Sequence, residues 1–153
     1  PNIGVLQGYW QSYKNIMLSG VLPRQLKEYI FLAIALHKKC IYCSSIHLAI
    51  CDMIDVEESQ IDSLLNDIDG IQPARVRDLL LFCLKSVEAS DEISDADYLS
   101  LEAHSLDYLE ILEALAATHF SLSCIRLAQT MKLDVDEEVI DYLKMKDLSI
   151  GVL

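Results

Sequence analysis

The residues of this chain with the most chemistry to offer lie within twenty positions of one another. Cys40 and Cys43 stand three apart, His47 follows four later, and Glu28 precedes Cys40 by twelve. On an α-helix, residues three and four apart share a face, so an imidazole at 47 reaches a thiol at 43 one turn away. Cysteines at i and i+3 can close a disulfide at a helix N-terminus with little distortion. An ordinary thiol, with pKa near 8.5, is only about 3% thiolate at pH 7, so a downward shift has direct kinetic value. Lys38 and Lys39 just before the helix start, the helix dipole and a protonated His47 all favour the thiolate.

Glu28 lies in the preceding helical segment, and a helical hairpin turning near Lys38-Lys39 brings it back alongside the cysteines. A carboxylate among Ile30, Phe31, Leu32, Ala33 and Ile34 needs a partner, and His47 can supply it. The order Glu28 to His47 to Cys43 is a base chain of the kind that activates nucleophilic thiols. Plainer readings stand beside this one. The cysteine pair can be two small core residues, His47 a hydrogen-bonded core histidine, and Glu28 a solvated first-turn residue suited to the helix dipole. Cys51, Cys83 and Cys124 read as buried small hydrophobes. Zinc is the competing chemistry, since Cys40, Cys43, His47 and Cys51 spell C-x2-C-x3-H-x3-C. Along one helix those four span about 16 Å of rise, too far to converge on a tetrahedral ion, which leaves metal only a three-ligand set with Glu28. The expectation is a site without metal or organic cofactor.

The elements that must hold these residues all read as helices. Apolar residues recur at helical spacing, and the β-branched residues show no strand alternation. The pattern predicts helices over 6–17, 23–37, 41–54, from about 56 to 65, 73–88, a short one capped by Ser94, one capped by Ser105 or Asp107, and two more over 121–131 and 136–143. An internal repeat organises them. Ser44-Ser45-Ile46-His47-Leu48-Ala49 is echoed by Ser123-Cys124-Ile125-Arg126-Leu127-Ala128, and Asp55-Val56-Glu57-Glu58 by Asp134-Val135-Asp136-Glu137. Both echoes share one offset, 123 − 44 = 79 and 134 − 55 = 79. This predicts a single all-α domain over residues 1–153 made of two duplicated helical units, about 22–66 and 101–145. The second is degenerate: His119, Leu122 and Arg126 stand where the first has Cys40, Cys43 and His47.

Composition sets the boundaries. With 153 residues and 52% apolar content the chain can bury one core, which argues against disorder. A net charge of −12 repels phosphate backbones and anionic lipid, so neither nucleic acid nor a membrane surface is an expected partner. No segment reads as a membrane span; 30–36 is the richest apolar run, and charge closes it on both sides. The N-terminal residues lack a basic region followed by an apolar stretch, and five cysteines is an odd number, so a reducing, cytoplasmic location is expected.

Glu28, Cys40-Ile41-Tyr42-Cys43 and His47, within the stretch from Leu22-Pro23-Arg24 to Ala49, form an E-x11-C-x2-C-x3-H pattern. This resembles the alkylhydroperoxidase D-like branch of the carboxymuconolactone decarboxylase superfamily. The segments Ile93-Ser94-Asp95-Ala96-Asp97 and Leu109-Glu110-Ile111-Leu112 look like its peroxidase-related subgroup, so the likeness covers essentially the whole chain. It implies an all-helical fold, homo-oligomers (trimers or hexamers) and thiol peroxidase activity in antioxidant defence. By the same analogy Cys43 attacks the hydroperoxide and Cys40 resolves the sulfenic acid to a disulfide. A thioredoxin-like or lipoyl dithiol then reduces that disulfide, and Glu28 and His47 relay the proton. Non-catalytic thiol–disulfide exchange or redox sensing by the same cysteines is the alternative. Where the best-characterised members carry a His before the second cysteine, this chain has Tyr42, which can donate a hydrogen bond but cannot accept a proton near neutral pH. The true decarboxylases lack the cysteine pair, so that activity is not expected.

Overall fold

The computed structural model describes residues 3–148. Among them there is no strand, and eight α-helices follow in order: α1 (Ile3–Met17), α2 (Arg24–His37), α3 (Ile41–Met53), α4 (Glu58–Asn66), α5 (Ala74–Glu88), α6 (Asp95–Ala103), α7 (Tyr108–Met131) and α8 (Glu137–Met145). Short 3-10 turns follow α4 and α5.

The centre of the fold is α2, in which every residue from Lys27 to Ala35 is buried. A helix buried all round needs neighbours on every side, and α3, α7, α5 and α1 supply them. Lys27, inside that run, has its ammonium held by the Ser19 carbonyl and by Glu113 Oε2 at 2.8 Å. Glu113 also accepts from the Val21 and Leu22 backbone N–H groups at 2.8 and 3.0 Å. Just before them Gly20 has φ 108°, and a Cβ there would collide with the Glu113 carboxylate, so the turn needs glycine. This cluster seats the loop that lays α1 beside α2.

The turn from α2 to α3 decides where the thiols go. Lys39 adopts φ 54°, a left-handed residue closing the helix, and the Cys40 N–H returns to the Ala35 carbonyl at 3.0 Å. Cys40 is then extended, at φ −91° and ψ 94°, and caps α3.

The second unit differs from expectation at the matching place. Two helices were expected, one from Ser105 or Asp107 and another over 121–131; α7 instead runs unbroken for 24 residues. Thr118 and Ser121, which could cap a new helix, hydrogen-bond back to the Ala114 and Ala117 carbonyls at 2.8 and 2.6 Å. Their hydroxyls thus stay inside the continuous ladder. By length and composition alone α7 could cross a membrane, contrary to the reading that no segment could. It packs instead against α1, α2, α3 and α5 and buries Ala114, Ala117, Ile125 and Ala128 in the core. Elsewhere the 79-residue offset reappears in the helix bounds: α4 and α8 are both nine residues long, with 137 − 58 = 79 and 145 − 66 = 79.

Candidate active site

The hairpin of α2 and α3 brings together what the sequence spacing joined. Glu28 is fully buried, and its Oε2 lies 2.8 Å from His47 Nδ1. With Nδ1–H donating to the carboxylate, Nε2 is the ring nitrogen left to take a proton. Phe31, one turn along α2 from Glu28, stacks on the imidazole with centroids 3.5 Å apart at 15°. These two contacts fix the ring's position and tilt. Burial alone would push the Glu28 carboxyl up. The His47 hydrogen bond and charge, the Tyr13 hydroxyl and Arg24 outweigh it and hold the carboxyl below its ordinary value. The surface reading of Glu28 is thereby excluded.

Cys40 and Cys43 are both buried, and the Cys43 N–H points at Cys40 Sγ at 3.4 Å, a weak sulfur cap on the first turn of α3. Both are free thiols. The expected thiolate is not what this arrangement favours. Burial pushes the Cys43 thiol up, and the neighbouring Cys40 pushes it the same way. The basic pair does not compensate, because Lys38 turns away to Glu88 on α5. Desolvation outweighs the helix N-terminus here.

Cys43 and His47 line an apolar cleft of about 380 Å³ between α1, α3 and α7, whose walls include Leu6, Trp10, Phe120 and Leu127. Tyr42 also lines it, its phenol pushed up by burial first and by Asp136 second. Cys51 and Cys83 are buried as expected. Cys124 is only partly buried and forms part of the same cleft wall as Cys43. No three of His, Cys, Asp and Glu converge as a ligand set among the described residues.

Sequence spacing missed Tyr13, Arg24 and Phe31. Tyr13 on α1 donates to Glu28 Oε1 at 2.7 Å, and Arg24 Nε stands 3.6 Å from the same oxygen. Arg24 was within reach of a sequence reading, since it lies four before Glu28 on one helix. Tyr13 shares the inward stripe Tyr9, Tyr13, Met17 of α1, but only the docking of α1 shows what it meets.

The chain matches no protein-family model and no curated protein. It is similar in structure to an uncharacterized peroxidase-related protein from Silicibacter sp. TM1040, with 26% identity and a TM-score of 0.84 over 90% of this chain and 73% of that one. A second neighbour is an alkylhydroperoxidase core, an uncharacterized peroxidase-related protein from Ralstonia eutropha JMP134. It is also 26% identical, with a TM-score of 0.84 over 93% of this chain and 75% of its own. Sharing that all-helical fold, and carrying Glu28, Cys40, Cys43 and His47 in the spacing of the pattern, this chain is similar in structure to peroxidase-related proteins of the alkylhydroperoxidase D-like kind.

Proposed function

We propose that this protein is a thiol-dependent hydroperoxide reductase that cycles a Cys40–Cys43 disulfide. The observation that carries the reading is the buried Glu28–His47 pair, 2.8 Å apart, whose imidazole lines the same apolar cleft as Cys43. Because Cys43 rests as a thiol, its proton must leave as it attacks. His47 Nε2 takes that proton while Sγ bonds to the distal peroxide oxygen and the O–O bond breaks. The alkoxide takes the proton back and departs as an alcohol, leaving a sulfenic acid. Cys40 Sγ then attacks that sulfur, the S–S bond forms, and the hydroxyl leaves as water with the Cys40 proton. An external dithiol, thioredoxin-like or lipoyl, restores both thiols. The cycle uses no metal and no organic cofactor.

A cytoplasmic antioxidant role and assembly into trimers or hexamers complete the proposal. Tyr108, Leu109 and Leu112, exposed by 75%, 54% and 49% on α7, support assembly, since apolar side chains grouped on one helix favour a partner surface.

The raised Cys43 thiol favours one second reading, a redox sensor or disulfide-exchange partner that oxidises once and stops. Peroxide consumption with and without a dithiol donor separates the two. A peroxidase consumes many equivalents per chain in the presence of donor, and a halt after one equivalent overturns the proposal. In Cys40→Ser, a dimedone-type reagent should trap a sulfenic acid on Cys43, and in Cys43→Ser it should trap none. The opposite pattern would make Cys40 the attacking thiol.

A further inference from the structure

Two phenols reach the cleft from α1, and they do different things. The Tyr9 hydroxyl meets Ser123 Oγ at 3.0 Å, on the exposed side. The Tyr13 hydroxyl donates to Glu28 Oε1 at 2.7 Å, on the oxygen that His47 does not use. Each carboxylate oxygen therefore has one short donor. The titratable and charged groups facing Glu28 are Tyr13 from α1, Arg24 from α2, and His47 and Cys51 from α3. Arg24, at 3.6 Å, is beyond ordinary hydrogen-bond range, and Cys51 brings no proton the carboxylate could use. Among the described residues Tyr13 is thus the only close donor besides His47. Its ring stacks on Trp10 with centroids 5.6 Å apart at 11° and leans on Phe120 at 6.4 Å, so the direction of its hydroxyl is set by packing. Burial first, and Glu28 second, push the phenol to about 12, so Tyr13 stays a donor at every pH at which a hydroperoxidase works.

We propose that Tyr13 is a positioning residue of the thiol site, fixing the Glu28 carboxylate against His47 and making α1 a working part of the proton relay. The proposal rests on the relay reading of Glu28 and His47. If Glu28 lost this donor, its charged form would lose a hydrogen bond while burial stayed the same. A less firmly charged carboxylate holds His47 Nδ1–H less well, and Nε2 becomes a weaker base.

The test is an NMR titration of the Glu28 carboxyl and the His47 ring in the full chain, comparing wild type with Tyr13→Phe. Phenylalanine keeps the ring packing, so an unchanged melting temperature is the check on folding. Glu28 should titrate about 1–2 units higher in Tyr13→Phe. The acid limb of the peroxide-turnover profile should rise with it, with kcat falling more than KM rises. Tyr9→Phe should leave the Glu28 titration in place. A Glu28 titration that is the same in Tyr13→Phe and wild type overturns the proposal. If wild type reduces no peroxide with any dithiol while Tyr13→Phe still shifts Glu28, the peroxidase reading falls and the positioning role stands.

Discussion

Residues 22–66 and 101–145, the two units expected from the 79-residue sequence offset, treat matching positions in opposite ways. Tyr29 is 1% exposed and Tyr108 75%. Glu28 is buried against His47, whereas Asp107 is exposed and caps α7 by accepting from the Glu110 N–H at 2.9 Å. Cys40, Cys43 and His47 are buried, while His119 and Arg126 are exposed and Leu122 is half-buried. The backbone accounts for much of the difference. In the first unit Lys39 at φ 54° breaks the chain into α2 and α3, which fold against each other. In the second, Thr118 occupies the matching position inside an unbroken helix. We infer that the site depends on this break as much as on its residues, since the turn faces one helix's carboxylate toward another's imidazole.

The largest expected effect tests that inference directly. Cys43→Ser should remove peroxide reduction entirely, to the buffer rate. Placing the same residues in the second unit, as His119→Cys, Leu122→Cys and Arg126→His together, should create none in that background. With α7 continuous there is no helix start to relax the disulfide and no facing carboxylate. Peroxide consumption and disulfide mapping read both results. A 119–122 bridge that turns over would show that spacing alone suffices.

Next comes the carboxylate. Glu28→Gln should slow turnover by about 10²–10⁴-fold, the usual contribution of a base relay, while far-UV circular dichroism stays helical. Near-normal turnover would reduce Glu28 to a packing role and remove the functional contrast with Asp107.

The contrast also shows what could be read from residue order. Glu28, Cys40, Cys43 and His47 were legible because each is placed by local helix geometry plus one hairpin, and the hairpin's turn is written in Lys38-Lys39. Ser94 was legible as a cap for the same reason, and it forms a capping box with Asp97. The continuity of α7 was not, because Thr118 and Ser121 have side chains equally able to cap a helix or to bond within one. The thiol's acidity was misjudged because dipole and lysines are visible in sequence, whereas the burial that outweighs them is set by α1 and α7. Tyr13 was hidden for a related reason: its partner lies fifteen residues away on another helix.

A third effect follows from the burial of thiols in both units and on α5 between them. Burial comes first among the causes that raise the Cys43, Cys51, Cys83 and Cys124 thiols above 9.0, with Cys51 and Cys83 pushed to about 12 and Cys124 to about 11. A folded-state pKa above the unfolded one gives stability that is full below about pH 9 and lost as pH rises toward the folded value. Each such thiol contributes a slope of about 1.4 kcal/mol per pH unit across its window. Tyr13 and Tyr29 add the same sign above their ordinary 10.0. Denaturant midpoints should therefore fall from pH 9 upward. Cys51→Ala should flatten the fall as far as about pH 12, and Cys124→Ala only to about pH 11. Equal flattening by both would mean that the two units bury their thiols alike.

The smallest effect concerns Asp107, the residue in Glu28's register. Its carboxylate accepts from the Glu110 N–H, and Glu110 returns the bond to the Asp107 N–H at 3.0 Å, closing a capping box at the start of α7. Such a cap is worth about 1 kcal/mol, and removing it leaves the first-turn N–H groups to water. Asp107→Ala should lower stability by about that amount in urea denaturation. Peroxide turnover should be unchanged, because residue 107 is exposed at the α7 start and touches none of the groups around Cys43. Glu110 is also held by Arg75 at 2.5 Å, which keeps part of the box in place and sets the expected loss near the low end. The same carboxylate chemistry thus serves a helix end at Asp107 and, in the proposed function, a proton relay at Glu28. A large loss of turnover in Asp107→Ala would mean that the second unit takes part in the chemistry and that the division between the units is wrong.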